Sequence, residues 1–234
     1  MKINFNYLKP SYKEKAQILK NFAQTIDSNS FINGKDVKIF EKKLSKFTNV
    51  KYVATCNSGS DALLMSLMSL GLEHGDEVIV PNFGYVSAIE AILILNLKPV
   101  VVDVNYEDYN ISTEEIKKAI SKKTKVIIPL HMFGQAADMY EIKKICRNKN
   151  IYIIEDAAQS INSKYLYKNK TNKKGILGDI SCISFFPTKN LGCYGDGGAV
   201  LTNNKKLYDR IYKIRNHGQT KKYDHQILGI NSRL

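Results

Sequence analysis

The chain has 234 residues, 44% hydrophobic and 24% charged, which is enough for one sizeable core and unlike the composition of a disordered chain. Its formal charge of +13 comes from lysines and arginines spread along the chain with no nucleic-acid motif beside them, so a Lys-rich surface that attracts anionic small molecules is expected rather than a nucleic-acid partner. No apolar run approaches the roughly 20 residues of a membrane span. The N-terminus has no apolar signal core, and Cys56, Cys146, Cys182 and Cys193 form no CxxC pair, so a cytoplasmic protein with reduced thiols is expected.

In chain order, residues 12–27 are weakly patterned as a helix, and 36–47 place Val37, Phe40, Leu44 and Phe47 at helical spacing among lysines. Short apolar runs at 52–56, 77–80, 100–104, 125–130 and 151–155 read as buried strands. Helical patterns lie between them at 59–70, 85–95, 112–121 and 138–149. The first of these stops at Gly71, and the third opens on Ser112-Thr113-Glu114-Glu115, a capping-box pattern. Residues 164–175 read as a solvated loop or hairpin, 180–186 and 198–202 as strands, 204–215 as a helix, and 216–234 as polar and loop-like. Strands alternating with helices predict an α/β fold, a mostly parallel sheet covered on both faces.

Four segments carry candidate chemistry, and each follows a predicted strand. In Ser184-Phe185-Phe186-Pro187-Thr188-Lys189, with Gly195-Asp196-Gly197-Gly198 beyond, a lone lysine stands among apolar residues. Desolvation there disfavours the ammonium and favours a nucleophilic amine. Taken alone, the segment also suits an ordinary surface lysine. In Ile153-Ile154-Glu155-Asp156-Ala157-Ala158-Gln159, a carboxylate ends a buried strand, where ligands of open α/β sheets bind. Asp156 there can keep a pyridinium nitrogen charged or simply cap the next helix. Strand alternation sends Glu155 to the opposite face. Asn57-Ser58-Gly59-Ser60-Asp61 joins a strand to a helix and offers open N–H groups to an anion, provided that the Asp61 carboxylate points away. Pro81-Asn82-Phe83-Gly84-Tyr85 offers an aromatic ring to stack on a planar heterocycle. Common strand-end placement gathers all four at one edge of one sheet.

The segments TCNSGSDALLMSL, IEDAAQS, SFFPTKNLGCYGDGGA and GINSRL, in that order, closely resemble the DegT/DnrJ-type sugar aminotransferases, from about Gly34 onward. The resemblance implies the large domain of a fold-type-I aminotransferase, a mostly parallel seven-stranded sheet sandwiched between helices. It also implies a pyridoxal 5'-phosphate cofactor, carried as pyridoxamine 5'-phosphate in the second half-reaction. By the same resemblance Lys189 binds the cofactor covalently, Asp156 pairs with its ring nitrogen, and Gln159 lies beside its phenolic oxygen. Ser184 and the Gly59-Ser60 turn hold the phosphate, and Tyr85, rather than Phe83, stacks on the ring. Asn231 matches an asparagine that reaches the phosphate of a neighbouring subunit, which implies a homodimer with shared active sites. HMFGQAADM, EDAAQS, SFFPTKNLG and RNHGQTKKY look most like enzymes that move an amino group from L-glutamate to carbon 3 of a dTDP-linked keto-deoxyhexose, for O-antigens or surface glycans. Amination at carbon 4, or a truncated non-catalytic protein of the same fold, is the alternative. Related dehydratases place a histidine where Lys189 stands. Family members continue past the NSRL motif into a C-terminal small domain, so the expected division is an N-terminal segment, 1–20, and a cofactor-binding domain, 21–234.

Overall fold

A computed structural model describes residues 8–161, 163–167, 170–172 and 175–234. Residues 1–7 of the expected N-terminal segment, and 168, 169, 173 and 174 of the expected 164–175 loop, lie outside the described residues. The first helix, α1 (Tyr12–Ser28), starts at a full capping box, in which Ser11 and Glu14 exchange side-chain and main-chain hydrogen bonds. It runs through position 20, where the sequence suggested a boundary, and buries none of its residues. Helix α2 (Lys35–Thr48) buries Leu44 and Thr48.

Seven strands then build one sheet: β1 (Tyr52–Cys56), β2 (Glu77–Pro81), β3 (Lys98–Val102), β4 (Thr124–Ile127), β5 (Tyr152–Asp156), β8 (Ile180–Ser184) and β9 (Gly198–Thr202). Two short strands, β6 (Tyr165–Tyr167) and β7 (Lys170–Asn172), form a separate hairpin, as the 164–175 segment allowed. The sheet order is β1-β9-β8-β5-β4-β2-β3. Only β9 runs against its neighbours, so the other six strands point one way and end at one edge.

The connecting helices are α3 (Gly59–Ser69), α4 (Ser87–Ile94), α5 (Thr113–Ala119), α6 (Met139–Cys146) and α7 (Lys205–Ile214). Apolar cores lie on both sheet faces, one around Met65, Leu67, Ile92 and Ile211, another around Ile116, Met139 and Ile142. Gly71, at φ +68, ends α3 in the left-handed region that glycine adopts freely. At α5 only half of the expected capping box forms: Ser112 caps the Glu115 N–H, but the Glu115 carboxylate pairs with Lys118 instead.

Two expectations shift. Strand β3 starts two residues earlier than its apolar run, because Pro99 sits on an edge strand where its missing N–H costs no ladder bond, and Lys98 is tied to Glu77 at 3.0 Å. The loop-like tail also holds a small hairpin, β10 (Gln219–Lys221) with β11 (Asp224–His225). Among the described residues, no helix is long and apolar enough to cross a membrane.

Candidate active site

Strands β1, β2, β5 and β8 deliver their carboxyl ends to the same edge, and a cavity of about 490 Å³ opens there. Its lining includes Gly59 and Ser60 after β1, Tyr85 after β2, Asp156 and Gln159 at the end of β5, and Ser184 and Lys189 after β8. Seven of the eight residues singled out from the sequence therefore face one space. The eighth, Asn231, is exposed and does not line it. Its carbonyl nonetheless accepts a hydrogen bond from Asn57 Nδ2 at 3.1 Å, which puts it behind the Asn57–Asp61 turn.

That turn is built to receive an anion. Ser58 caps α3: its hydroxyl accepts from the Asp61 N–H at 3.0 Å, and its carbonyl from the Ala62 N–H at 3.1 Å. The first two helical N–H groups, on Gly59 and Ser60, have no acceptor among the described residues, as the start of a helix leaves them. A Cβ at Gly59 would stand 2.7 Å from Ser184 Cβ, so only glycine lets β8 and the turn approach this closely. The Asp61 carboxylate does point away, accepting from Ser232 Oγ at 2.5 Å.

Adjacent carboxylates of β5 part to opposite faces. Asp156 is buried at 9% exposure and faces the cavity, with the Ala158 N–H, at 3.1 Å, its one hydrogen-bond donor among the described residues. Burial raises its carboxyl above the ordinary aspartate range, opposed in smaller part by the Ala158 N–H and by the neighbouring His131 and Lys189. Glu155, at 1% exposure, faces away and receives His131 Nε2 at 3.1 Å, the Leu177 N–H at 2.7 Å, the Tyr165 hydroxyl and the Gly178 N–H. Burial alone would raise this carboxyl, but the bonds from His131, Tyr165 and Gly178 outweigh it and hold it low. The Ala137 N–H donates to His131 Nδ1 at 3.2 Å, which leaves the ring proton on Nε2, aimed at Glu155.

Lys189 sits half-buried on the cavity wall, in a turn closed by its N–H bonding to the Phe186 carbonyl at 2.8 Å. Tyr85 is 79% exposed at the rim, whereas Phe83 turns outside to pack with Tyr109 and Phe133. Sequence reasoning missed Ser87 and Thr188, which also line the cavity; the Ser87 hydroxyl lies 2.7 Å from that of Ser60. Ser87 follows β2 just as Ser58 follows β1, and that repeated strand-then-serine pattern was the available signal. An amine, a buried carboxylate, a helix N-terminus and a ring at the rim together suit a planar, phosphorylated ligand with a basic ring nitrogen.

The family model described as "DegT/DnrJ/EryC1/StrS aminotransferase family" matches residues 12–234. The UDP-2-acetamido-2-deoxy-3-oxo-D-glucuronate aminotransferase of Pseudomonas aeruginosa is 41% identical over 220 residues, 94% of this chain and 60% of that protein. The dTDP-3-amino-3,4,6-trideoxy-alpha-D-glucose transaminase of Streptomyces venezuelae is 34% identical over 234 residues, 100% of this chain and 61% of that protein. In structure the chain resembles NtdA of Bacillus subtilis, solved with bound cofactor PMP, at a TM-score of 0.91 and 32% identity, covering 100% of this chain and 53% of that one. The chain thus spans about 60% of the length of the curated relatives it matches.

Proposed function

The chain belongs to the DegT/DnrJ/EryC1/StrS aminotransferase family, and from that membership we propose that it is the cofactor-binding part, residues 21–234, of a pyridoxal-phosphate-dependent sugar aminotransferase. The observation that carries this reading is the single cavity shared by Lys189, Asp156 and the Gly59-Ser60 turn. The residues fit the cofactor. Two open N–H groups beside Ser184 suit a phosphate, and the buried Asp156 carboxylate, with one donor among the described residues, can receive a ring N–H as a second. When bound, pyridoxal phosphate supplies an electron sink that carries an amino group from donor to keto acceptor.

Lys189, whose amine lies on the cavity wall, would hold the cofactor covalently and supplies the base that would move a proton at the reacting substrate carbon. Asp156 would keep the proton on the ring nitrogen, a task suited to a largely buried carboxylate at the cavity floor. Gly59, Ser60 and Ser184 would bind the phosphate, Gln159 would lie beside the phenolic oxygen, and Tyr85 would stack on the ring. Asn231 faces outward because it serves the site of a second copy, so the working unit is a homodimer with shared active sites.

The donor is L-glutamate and the acceptor a nucleotide-linked keto-deoxyhexose, dTDP-linked and aminated at carbon 3, in the cytoplasm, for O-antigen or surface-glycan biosynthesis. The name of the Streptomyces venezuelae relative supports the dTDP-linked 3-amino product, and the keto group in the Pseudomonas aeruginosa relative's substrate supports carbon 3. The test is an initial-rate study with L-glutamate and dTDP- or UDP-linked 3-keto sugars. Parallel double-reciprocal lines and a dTDP-3-amino sugar are expected. Intersecting lines, a product aminated at carbon 4, or turnover of the UDP sugar alone would count against the respective parts of the reading.

A second reading, a regulator of the same fold without turnover, is favoured by one observation. A relative from Geobacillus stearothermophilus that is 40% identical over 220 residues carries the name "Pleiotropic regulatory protein".

A further inference from the structure

The Asn57–Asp61 turn is held from behind by residues far away in the chain. Ser232 is fully buried, with 0% exposure. Its hydroxyl accepts from the Asn57 N–H at 3.0 Å and donates its one proton to Asp61 Oδ2 at 2.5 Å. The Ser232 N–H is anchored on the Arg215 carbonyl at 3.0 Å. The Arg215 guanidinium, itself 1% exposed, reaches Glu41 at 2.6 Å and the Thr55 carbonyl at 3.0 Å. Ser232 and the residue that anchors it thus hold the strand end before the turn, the first main-chain N–H of the turn and the carboxylate at its far side.

Asp61 is the third residue of α3. A carboxylate there is drawn to the positive end of the helix and, unrestrained, can turn toward the unpaired N–H groups of the first turn. Those N–H groups are the ones a phosphate needs, and a carboxylate resting on them would compete with it and repel it. The Ser232 hydroxyl offers Asp61 a better partner on the other side. We propose that Ser232 is a positioning residue for phosphate recognition: by holding the Asp61 carboxylate outward and the Asn57 N–H inward, it keeps the Gly59 and Ser60 N–H groups open to a dianion. This rests on the reading of the Gly59-Ser60 turn as the phosphate cradle.

The experiment titrates pyridoxal phosphate and its phosphate-free analogue pyridoxal into the purified protein and reads both affinities by absorbance. The natural protein is expected to prefer the phosphorylated form. Ser232→Ala should weaken pyridoxal phosphate binding by about tenfold, the scale of a lost charge-assisted hydrogen bond, and leave pyridoxal binding unchanged. Adding Asp61→Asn to that variant should restore the lost affinity, since a neutral amide neither repels the phosphate nor needs an escape partner. If the alanine variant is insoluble, Ser232→Cys, a side chain of similar size but a weak donor, should give the same pattern. Equal weakening of both ligands, or no recovery with Asp61→Asn, overturns the proposal and leaves Ser232 a packing residue. A natural protein that binds pyridoxal as tightly as its phosphate overturns the cradle itself, and the proposal with it; a preference undiminished in Ser232→Ala overturns the proposal alone.

Discussion

Replacing Asp156 by asparagine keeps the shape of the side chain and removes its charge, and it should move stability and function in opposite directions. Without cofactor, the carboxylate is buried, faces the cavity, and has one N–H donor among the described residues, from Ala158. An amide oxygen can still accept that bond, so the variant sheds the desolvation of a charge and loses little else. Burying an incompletely partnered polar group costs roughly 1–3 kcal/mol, and this is the stability expected to return. For a chain of this size that corresponds to a melting temperature raised by about 2–4 °C per kcal/mol. The pH dependence follows from the raised carboxyl. The folded state holds its proton more tightly than the unfolded chain, so the penalty is absent below the unfolded value of about 3.9, grows as pH rises, and is full above the folded value. The gap between Asp156→Asn and the natural protein should therefore be widest near neutrality and vanish in acid. Turnover should fall on the order of 10²–10³-fold, the scale of removing one preorganised electrostatic partner. Calorimetry of the cofactor-free proteins from pH 4 to 8 checks the first part; an asparagine variant less stable at neutral pH, or a gap that widens toward acid, refutes the reasoning.

Gly59→Ala should lower pyridoxal phosphate affinity and cost roughly 1–3 kcal/mol of stability, because its Cβ would stand 2.7 Å from Ser184 Cβ; titration and thermal melts of the variant check both. Glu155→Gln should destabilise by about 1–3 kcal/mol at neutral pH, since the buried carboxylate accepts from His131, Tyr165, Leu177 and Gly178, and an amide would turn an N–H toward some of these donors and leave them unpaired. The lowered Glu155 carboxyl contributes stability above its unfolded value of about 4.3 and loses it as pH falls through the folded value, so this gap too should close in acid melts. Tyr85→Ala should leave the melting temperature of the cofactor-free protein almost unmoved, as Tyr85 is 79% exposed, while cofactor binding weakens by about 0.5–1.5 kcal/mol in an absorbance titration.

The sheet and the cavity were legible because each candidate residue ends a buried strand, and strands pointing one way bring their ends together. Period-two alternation sufficed to separate Asp156 from Glu155. What failed was local. Pro99 reads as a strand breaker until it is known to lie on an edge, and the β10–β11 hairpin is too short and polar to show a period. The support of the turn was illegible for a different reason. Ser232 lies 171 residues from Asp61 and 175 from Asn57, and no local pattern marks a serine whose partners are that distant. Sequence reasoning gave the condition on Asp61, that its carboxylate must point away, but not the residue that meets it.

The account turns on a covalent bond between the Lys189 ε-nitrogen and the cofactor, in the cavity that Lys189 shares with Asp156. The most direct measurement adds pyridoxal phosphate to the purified protein, treats it with borohydride, and maps the modified peptide by mass. The account predicts a visible absorbance band that borohydride abolishes, the added mass on Lys189, and neither signal in Lys189→Ala. A band that survives in Lys189→Ala, or added mass on a different lysine, would contradict it.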